Sequence, residues 1–479
     1  MAVLSNTGIR AGASGAAAGG GEAYQVENSL RFCPDDSAYL NKTPSSSGNR
    51  KTFTLSYWIK ECGKGTSSYS NPHILWSGTG SSTRGGIVHR GTGTDAGKLY
   101  LFNQESNITN CQVWTDSLHR DYGAWKNIVW SVDTTQATST DRVKVYINGV
   151  EETLTFTTTP AQNLELQINI NQEHRIGRGT PDDYGNYYIA DLHFVDGTAL
   201  DASSFGETVD GSWVPKEYSG SYGTNGFHLK FDNTSDLGED SAGSNDWTAN
   251  SFSTSAGTGN DVLADSPTAY DDGGNGVGNY CTLNPLKNSS GTYSNGNLQL
   301  LTTAGNRHYQ ASFGLTSGKW YWEVEPDAGA TPGMIGIALG SKAITDNLNG
   351  AGAMSYYSAT GNKQGGNTSG VDTSYGATYT YGDIIGVALD LDSATKTLTF
   401  YKNGASQGVA FNPDVTLGDW FPAVSSGSSV NTTTFIVNFG QRPFAYTPPT
   451  GFKALNTYNL DAPLIDDPSE HFDIRLWQG

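Results

Sequence analysis

The sequence predicts an all-β protein: two antiparallel β-sandwich, jelly-roll-like domains in series, with flexible segments at both ends. Apolar residues repeat with a period of two in many short stretches, as along strands that turn one face towards a core. Turn dipeptides such as Asn148-Gly149 and Asn403-Gly404 follow several of these stretches. No stretch of useful length shows the period of an amphipathic helix. The 479 residues are enough for more than one domain.

The first segment, residues 1–23, is rich in Gly and Ala. It lacks the apolar region of a signal peptide, and it cannot bury enough surface to fold alone. It is either a disordered tail or an arm that becomes ordered against a partner. No stretch of the chain approaches the roughly 18 apolar residues that cross a membrane, so we expect no membrane insertion.

Residues 24–232 are expected to form the first sandwich. In "TFTLSYWIK" the side chains of Phe53, Leu55, Tyr57 and Ile59 share one face of a strand. The stretches "KNIVWSVD", "RVKVYINGVE" and "GFHLKFD" repeat the pattern. These are predicted to be half-buried antiparallel strands closed by hairpin turns.

An acidic stretch rich in Ser and Gly, residues 233–275, is predicted to connect the two domains. Its apolar residues, Trp247 and Phe252, indicate that it lies along the domains. Strand patterning resumes over residues 276–454, the second sandwich. The last segment, residues 455–479, contains Pro and acidic residues and is predicted to be an extended tail.

Charge and metal-ligating residues exclude several classes of function. The formal charge of −19 repels phosphate backbones, so we expect no nucleic-acid binding. The four cysteines include no C-x-x-C pair, and the eight histidines are scattered, so no transition-metal site is expected. Reduced, semi-buried thiols are expected, with a single disulfide among the first three cysteines left open.

Three patterns imitate catalytic motifs. The stretch "GASQG" around Ser406 fits G-x-S-x-G, but no helix follows it, as a nucleophile elbow requires, and Asn403-Gly404 predicts a hairpin instead. Residues 91–96, "GTGTDA", fit a dinucleotide fingerprint but run into a strand. Glu323 and Glu325 share a strand face like paired catalytic carboxylates. We interpret that face as solvated, opposite a buried tryptophan pair.

Tyrosines are the main candidates for ligand contact. Tyr356, Tyr357, Tyr375, Tyr379 and Tyr381 fall in or near Gly/Ser-rich loops of the second domain. Tyrosine rings in loops provide rigid, amphipathic area that suits protein or sugar surfaces. They are the predicted ligand-binding residues, with structural packing as the alternative. No catalytic, cofactor-binding or metal residue is predicted.

The second half resembles a SPRY domain. Three stretches in the family's order carry the resemblance: "SGKWYWEVE" (317–325), "YGDIIGVALDLDSATKTLTFYKNG" (381–404) and "VNFGQRPFAYTPPTGFKAL" (437–455). The first half resembles the concanavalin A-like, laminin-G-like sandwich group through "SLRFCPDDSAYL", "FTLSYWIK", "WKNIVWSVD", "VKVYINGVE" and "YYIADLHFVDG". The SPRY resemblance implies a bent antiparallel β-sandwich that binds proteins or ligands through loops, without catalysis.

The laminin-G-like resemblance bears on cofactors. Modules of this group sometimes bind Ca²⁺, and the pairs Asp182-Asp183 and Asp271-Asp272 offer oxygen ligands. Without an EF-type loop this spacing establishes nothing. We therefore expect no cofactor, with a structural Ca²⁺ left open.

The whole combination resembles tail-fibre or other virion structural proteins of tailed bacteriophages, especially those of marine bacteria. The resemblance implies a non-enzymatic virion protein, assembled in the bacterial host cytoplasm, that docks to other virion proteins through residues 1–23. Its sandwiches are expected to recognise a host-surface glycan or protein. A homo-oligomer is expected, with a trimer by analogy. The alternatives are a purely structural virion protein without a receptor and a secreted lectin-like or carbohydrate-active protein.

Overall fold

The structure, a computed structural model, describes residues 24–62, 71–91, 93–180, 183–209, 211–255 and 257–461. Within these ranges the chain is built of antiparallel β-sheets with three short 3-10 helices, Ser139–Asp141, Ala202–Ser204 and Val415–Leu417. The predicted all-β class is confirmed. No helix in the described part of the chain is long and apolar enough to cross a membrane. The predicted docking arm and residues 462–479 lie outside the described residues.

The first half contains eighteen strands within the described ranges. They are β1 Ser29–Phe32, β2 Tyr39–Lys42, β3 Thr52–Glu61, β4 His73–Gly78, β5 Arg84–His89, β6 Leu99–Glu105, β7 Ile108–Thr115, β8 Trp125–Asp133, β9 Val143–Ile147, β10 Val150–Glu151, β11 Leu154–Thr158, β12 His174–Ile176, β13 Tyr187–Asp196, β14 Gly206–Val209, β15 Ser212–Pro215, β16 Phe227–Leu229, β17 Thr248–Asn250 and β18 Val262–Leu263.

Two eight-stranded sheets enclose the first core. One has the order β10-β9-β8-β3-β13-β1-β18, with β16 also paired to β13, and the other has the order β11-β7-β6-β5-β4-β12-β2-β17. Strands β14 and β15 form a separate hairpin. The predicted inward face of β3, from Phe53 to Ile59 at alternate positions, lies in this core with Trp130 of β8. Burial of these apolar side chains drives the two sheets together.

Strand β3 is buried on both faces, whereas the sequence pattern predicts a half-buried strand. Its outward-facing Trp58 packs in a second cluster with Trp125, Tyr188 and Leu263. Leu263 belongs to β18, within the segment that the sequence predicts as a connector. Chain beyond residue 232 also contacts β3, because Lys60 binds the Asp265 carboxylate and the Tyr280 carbonyl oxygen.

The second half contains thirteen strands within the described ranges. They are β19 Thr292–Ser294, β20 Gln299–Leu301, β21 Tyr309–Gln310, β22 Lys319–Gly329, β23 Met334–Leu339, β24 Ala353–Tyr357, β25 Asn362–Gly366, β26 Val371–Ser374, β27 Ile385–Asp390, β28 Thr397–Lys402, β29 Ala405–Phe411, β30 Trp420–Ser425 and β31 Thr433–Asn438.

A seven-stranded and a six-stranded sheet enclose the second core. Their orders are β19-β20-β31-β22-β27-β28-β29 and β21-β30-β23-β24-β25-β26. Trp320, Trp322 and Val324 of β22 share the inner face, as the alternation predicts, and Trp420 of β30 packs in the same core. Strands β29 and β26 each end a sheet.

The predicted connector and tail are both packed. Trp247 and Leu237 lie in the first core, and β17 and β18 complete the two sheets of the first sandwich. At the other end, Leu455 lies in the second core, and the Asn456 side chain donates to the Gly276 carbonyl oxygen at 2.9 Å. Apolar side chains at these positions explain why both segments pack onto the sandwiches instead of extending into solvent.

Candidate functional sites

Tyr356 and Tyr379, two of the predicted ligand-binding residues, are buried in the second core. The Tyr356 ring contacts the rings of Tyr375, Tyr379 and Phe400 at centroid distances of 5.4, 4.9 and 5.5 Å. The Tyr379 hydroxyl lies 2.9 Å from the Gly333 carbonyl oxygen and 2.8 Å from that of Tyr356. Burial raises the pKa of Tyr379 well above its usual value. These two rings are packing elements and present no surface to a ligand.

Tyr356 and Tyr357 were expected in or near a loop but lie in strand β24. Tyr356 pairs with Ile335 of β23, and Tyr357 pairs with Met334. The Gly/Ser-rich flanks that suggested a loop are the turns on either side of this strand. Register with β23 buries Tyr356 and leaves Tyr357 half-buried.

Tyr375 and Tyr381 are also half-buried. The Tyr375 hydroxyl donates to the Gly408 carbonyl oxygen and accepts from the Phe400 backbone N–H at 3.2 Å, so it joins β29 to β28. The structure thus brings Tyr356, Tyr375 and Tyr379 into one cluster, to which Tyr357 and Tyr381 do not contribute ring contacts. A ligand-contact role for Tyr357, Tyr375 and Tyr381 stays a prediction.

Glu323, predicted to be solvated, is buried. Its carboxylate accepts from the backbone N–H groups of Ala445 and Tyr446 at 2.8 and 2.9 Å and from the Tyr321 hydroxyl at 3.1 Å. Burial raises the pKa of Glu323 above its usual value, although these donors oppose the shift. The carboxylate is saturated by hydrogen bonds that hold the segment after β31 against β22, so it is structural.

Ser406 lies in strand β29 of a hairpin, as predicted. Asn403 (φ 49°) and Gly404 (φ 78°) form the turn between β28 and β29, and Lys402 pairs with Ala405 across it. The Ser406 side chain is exposed and accepts from the Gly408 backbone N–H at 3.2 Å. His471, which completes a serine triad only by its order in the sequence, lies outside the described residues.

Asp271 and Asp272, one of the two candidate pairs of Ca²⁺ ligands, have local structural roles. Asp271 accepts from the Gly273 backbone N–H, and Asp272 accepts from those of Gly274 and Gly276, so both carboxylates stabilise a turn. Asp182 lies outside the described residues. All four cysteines are buried and free, and no disulfide joins any of the first three.

A cleft in the first sandwich holds a charge cluster that the sequence does not reveal. Glu61 lies 2.7 Å from His89 Nδ1 and accepts from Lys126 Nζ at 2.8 Å, while His89 Nε2 lies 3.0 Å from the Tyr57 hydroxyl. Burial disfavours the charged carboxylate, but Lys126 and His89 hold the pKa of Glu61 well below its usual value. The cluster is therefore an ion-paired network in which the carboxylate is already satisfied.

The size of this cleft limits what it binds. Its volume is about 30 Å³, with His119, Tyr122 and Arg90 among the lining residues. A volume of this order holds about one water molecule. The residues come from β3, β5 and the chain near β8, which are distant in sequence, so no local motif announces them.

A second polar cluster joins strands β13 and β16. His193 of β13 and His228 of β16 are directly opposite in the antiparallel register, and their rings stack at 3.9 Å. Asp191, at φ 48° in an irregular part of β13, lies 2.7 Å from His228 Nε2 and 3.1 Å from His193 Nε2. All three residues are buried. The register of β13 with β16 therefore brings the two histidines together, and the irregularity in β13 places Asp191 beside them.

Two tyrosine hydroxyl groups complete this cluster. Tyr24 donates to Asp191 Oδ1 at 2.8 Å, and the Tyr222 hydroxyl lies 2.7 Å from His193 Nδ1. Burial, with the neighbouring Asp191 charge, raises the pKa of Tyr24 and of Tyr222, so both phenols are neutral and act as hydrogen-bonding groups. Burial opposes the charge on Asp191, but the two imidazoles lower the pKa of this carboxyl below its usual range.

Part of the second sandwich matches a known protein family. Residues 319–442 match the SPRY domain model, which confirms the resemblance for this part of the chain. A SPRY domain is a protein-interaction module. The laminin-G-like and bacteriophage resemblances are not shown by the comparisons and stay predictions.

Two curated proteins of Danio rerio are similar to part of the chain. Ran-binding protein 10 is 33% identical over 132 residues, which are 27% of this chain and 20% of the relative. Ran-binding protein 9 is 32% identical over 132 residues, which are 27% of this chain and 21% of the relative. The chain therefore spans about a fifth of the length of these relatives.

Solved structures with β-sandwich folds are similar as well. The SPRY domain of human HERC1 is 23% identical, with a TM-score of 0.30, and the likeness covers 34% of this chain and 99% of that one. A heptameric SAP-like pentraxin from Limulus polyphemus is 16% identical, with a TM-score of 0.27, and covers 37% of this chain and 80% of that one.

Proposed function

We propose that this chain is a non-enzymatic interaction protein whose second sandwich binds a partner protein. The observation that carries the proposal is the match of residues 319–442 to the SPRY domain, a protein-interaction module. The polar groups that imitate active sites support it, since Glu323 and Glu61 are saturated by structural partners and Ser406 lies in a hairpin.

The side of the second sandwich where its two sheets end is the proposed contact surface. All four residues of the end strand β26 are exposed, and Val371 on it is 42% exposed. On β29, the end strand of the other sheet, Val409 is 55% exposed. The side chain of Lys363 in β25, the strand next to β26, donates to the Ala410 carbonyl oxygen of β29 and so links the two sheets on this side. Exposed strand edges with apolar side chains are surfaces that another chain can extend.

The finer proposal follows the resemblance to virion proteins of tailed bacteriophages. In it, residues 1–23 dock the chain to other virion proteins, and the sandwiches face the host surface as part of a homo-oligomer, a trimer by analogy. Many copies on one particle would then multiply a modest affinity. The Gly/Ala-rich start and the order of the two sandwich types support this proposal; none of the four similar proteins named above is described as a virion protein.

The interaction is tested by site-specific photo-crosslinking of the full chain. A photoreactive residue replaces Val409 in one sample and Ile108, which is 69% exposed on the first sandwich, in the matched control. We expect a discrete protein adduct from position 409 alone in extract of the native source. An excess of wild-type chain without the photoreactive residue should prevent formation of this adduct. An excess of the Val371→Asp, Val409→Asp double variant should not. Equal adducts from both positions, or equal competition by both chains, would exclude this surface.

The virion location is tested separately by labelling purified particles with antibodies against the chain and by deleting residues 1–23. We expect label on an appendage and loss of incorporation by a truncated chain that still folds. Unlabelled particles would exclude the virion proposal but leave the SPRY interaction standing.

A further inference from the structure

The buried cluster of Asp191, His193 and His228 has the donor set of a metal site. Each residue offers one ligand atom, and these atoms all lie within 4.8 Å of one another. Imidazole nitrogen with carboxylate oxygen suits Zn²⁺ and its neighbours among the transition metals, whereas Ca²⁺ and Mg²⁺ prefer oxygen ligands alone. We propose that Asp191, His193 and His228 bind one divalent transition-metal ion of the Zn²⁺ class, which ties β13 to β16.

The distances fit a common ion. Asp191 lies 2.7 Å from His228 Nε2 and 3.1 Å from His193 Nε2, so both imidazoles turn the same nitrogen towards one carboxylate. Zinc bonds to nitrogen and oxygen of about 2.0–2.2 Å place neighbouring ligand atoms roughly 3–3.5 Å apart. Small rotations of the side chains therefore bring the three donors onto an ion without moving either strand.

Two of the three donor atoms have no protein partner outside the cluster. Asp191 Oδ2 and His193 Nε2 are buried and lie 3.1 Å from each other, and neither has another hydrogen-bond partner among the described residues. A buried polar atom without a well-placed partner destabilises the folded chain. A metal ion satisfies both with one group.

The surrounding hydrogen bonds match the outer shell of a metal site. Histidine ligands usually bind a partner through the nitrogen that does not face the metal, and this fixes the ring and its tautomer. In His193 that nitrogen, Nδ1, lies 2.7 Å from the Tyr222 hydroxyl. Tyr24 donates to Asp191 Oδ1 at 2.8 Å and so orients the carboxylate.

The proposal is tested on the full-length chain after chelation and dialysis. Titration with Co²⁺, followed by its visible absorption, and with Zn²⁺, followed by mass spectrometry of bound metal, should give about one equivalent per chain. X-ray absorption should report nitrogen and oxygen ligands. Sulfur ligands would assign the metal to the cysteines and overturn the proposal, and so would a wild-type chain that binds no ion. All of these measurements use the wild-type chain.

Variants then assign the ion to this cluster. We expect His228→Gln and Asp191→Asn to lose binding, and Tyr222→Phe, which removes only the hydroxyl beside His193, to weaken it about 10–100-fold. His308→Gln is the matched control, because His308 is a buried histidine of the second sandwich that contacts a backbone carbonyl. Full binding by His228→Gln and Tyr222→Phe would overturn the assignment.

Discussion

Lys60 and Asp265 form an ion pair with a nitrogen–oxygen distance of 2.6 Å, and neither side chain is exposed to solvent. Lys60 lies in β3, while Asp265 follows β18 and precedes the second sandwich. The Lys60 ammonium also donates to the Tyr280 carbonyl oxygen at 2.8 Å, and Asp265 accepts from Trp125 Nε1 at 2.9 Å. The pair therefore joins the first sandwich to the chain that leads into the second.

Removing one partner of this pair should strongly destabilise the protein. We expect Lys60→Met to lower the free energy of unfolding by about 3–5 kcal/mol, because it leaves the Asp265 carboxylate buried without its counter-charge. Chemical denaturation measures the loss. Lys51→Met, in a surface pair with Glu165, is the control and should cost at most about 1 kcal/mol. A Lys60→Met loss no larger than the control would contradict the expected coupling.

Tyr356→Ala should destabilise the second sandwich without removing a direct contact to a partner. The ring is fully buried among three other aromatic rings, so its removal should cost about 3–5 kcal/mol. Half-buried Tyr357→Ala should cost clearly less. Thermal and urea unfolding distinguish these outcomes. A Tyr356→Ala chain of normal stability that has lost partner binding would restore Tyr356 as a ligand residue.

Gly404→Ala should cost about 1–2 kcal/mol, since φ is 78° at this position and left-handed backbone strains a residue with a Cβ atom. That atom would also lie 2.6 Å from Cδ1 of Tyr446. Urea unfolding measures the change, with Gly259→Ala, which meets no atom within 4 Å, as the control. Equal stabilities of the two variants would exclude strain at the turn.

The protein should lose stability on acidification, in part through His174. Its Nε2 accepts from the Asn169 backbone N–H at 2.9 Å, and its Nδ1 lies 2.8 Å from the Gln172 carbonyl oxygen, an arrangement that needs the neutral ring. Burial lowers the pKa of His174 from 6.5 to about 4. Between pH 6.5 and about 4 the unfolded chain therefore binds a proton at His174 that the folded chain does not bind. The contribution is complete above pH 6.5 and is lost as pH falls towards 4.

Urea unfolding across this pH range checks the prediction. For a single histidine, the free energy of unfolding changes by up to about 1.4 kcal/mol per pH unit. His174→Gln should reduce the slope without abolishing it, because burial also lowers the pKa of His73, His119 and His308 to about 4. Identical slopes for the wild type and the variant would contradict a role for His174.

The sequence predicts strands well and their surroundings poorly. Alternation identifies the inner face of β3 from Phe53 to Ile59, and Asn403-Gly404 identifies the hairpin that excludes a nucleophile elbow. The same alternation predicts a solvated Glu323, which is wrong because its hydrogen-bond donors come from residues 445 and 446. A period within one strand carries no information about what covers its outer face.

The candidate metal cluster shows the same limit. His193 and His228 become neighbours through the register of β13 with β16, and Asp191 joins them at a backbone irregularity. Register between distant strands depends on the whole sheet, so spacing along the chain does not reveal the pair. The scattered histidines therefore gave no sign of a metal site.

The burial of both faces of β3 bears on how the chain can be divided for study. A fragment that ends at residue 232 lacks β17 and β18, and it uncovers Trp58, Trp125 and Tyr188 on the outer face of the sheet. Such a fragment would present a new apolar surface and tend to aggregate. The boundary at residue 232 that the sequence predicts is therefore too early for the first sandwich, and fragments intended for expression should extend at least through Asp265.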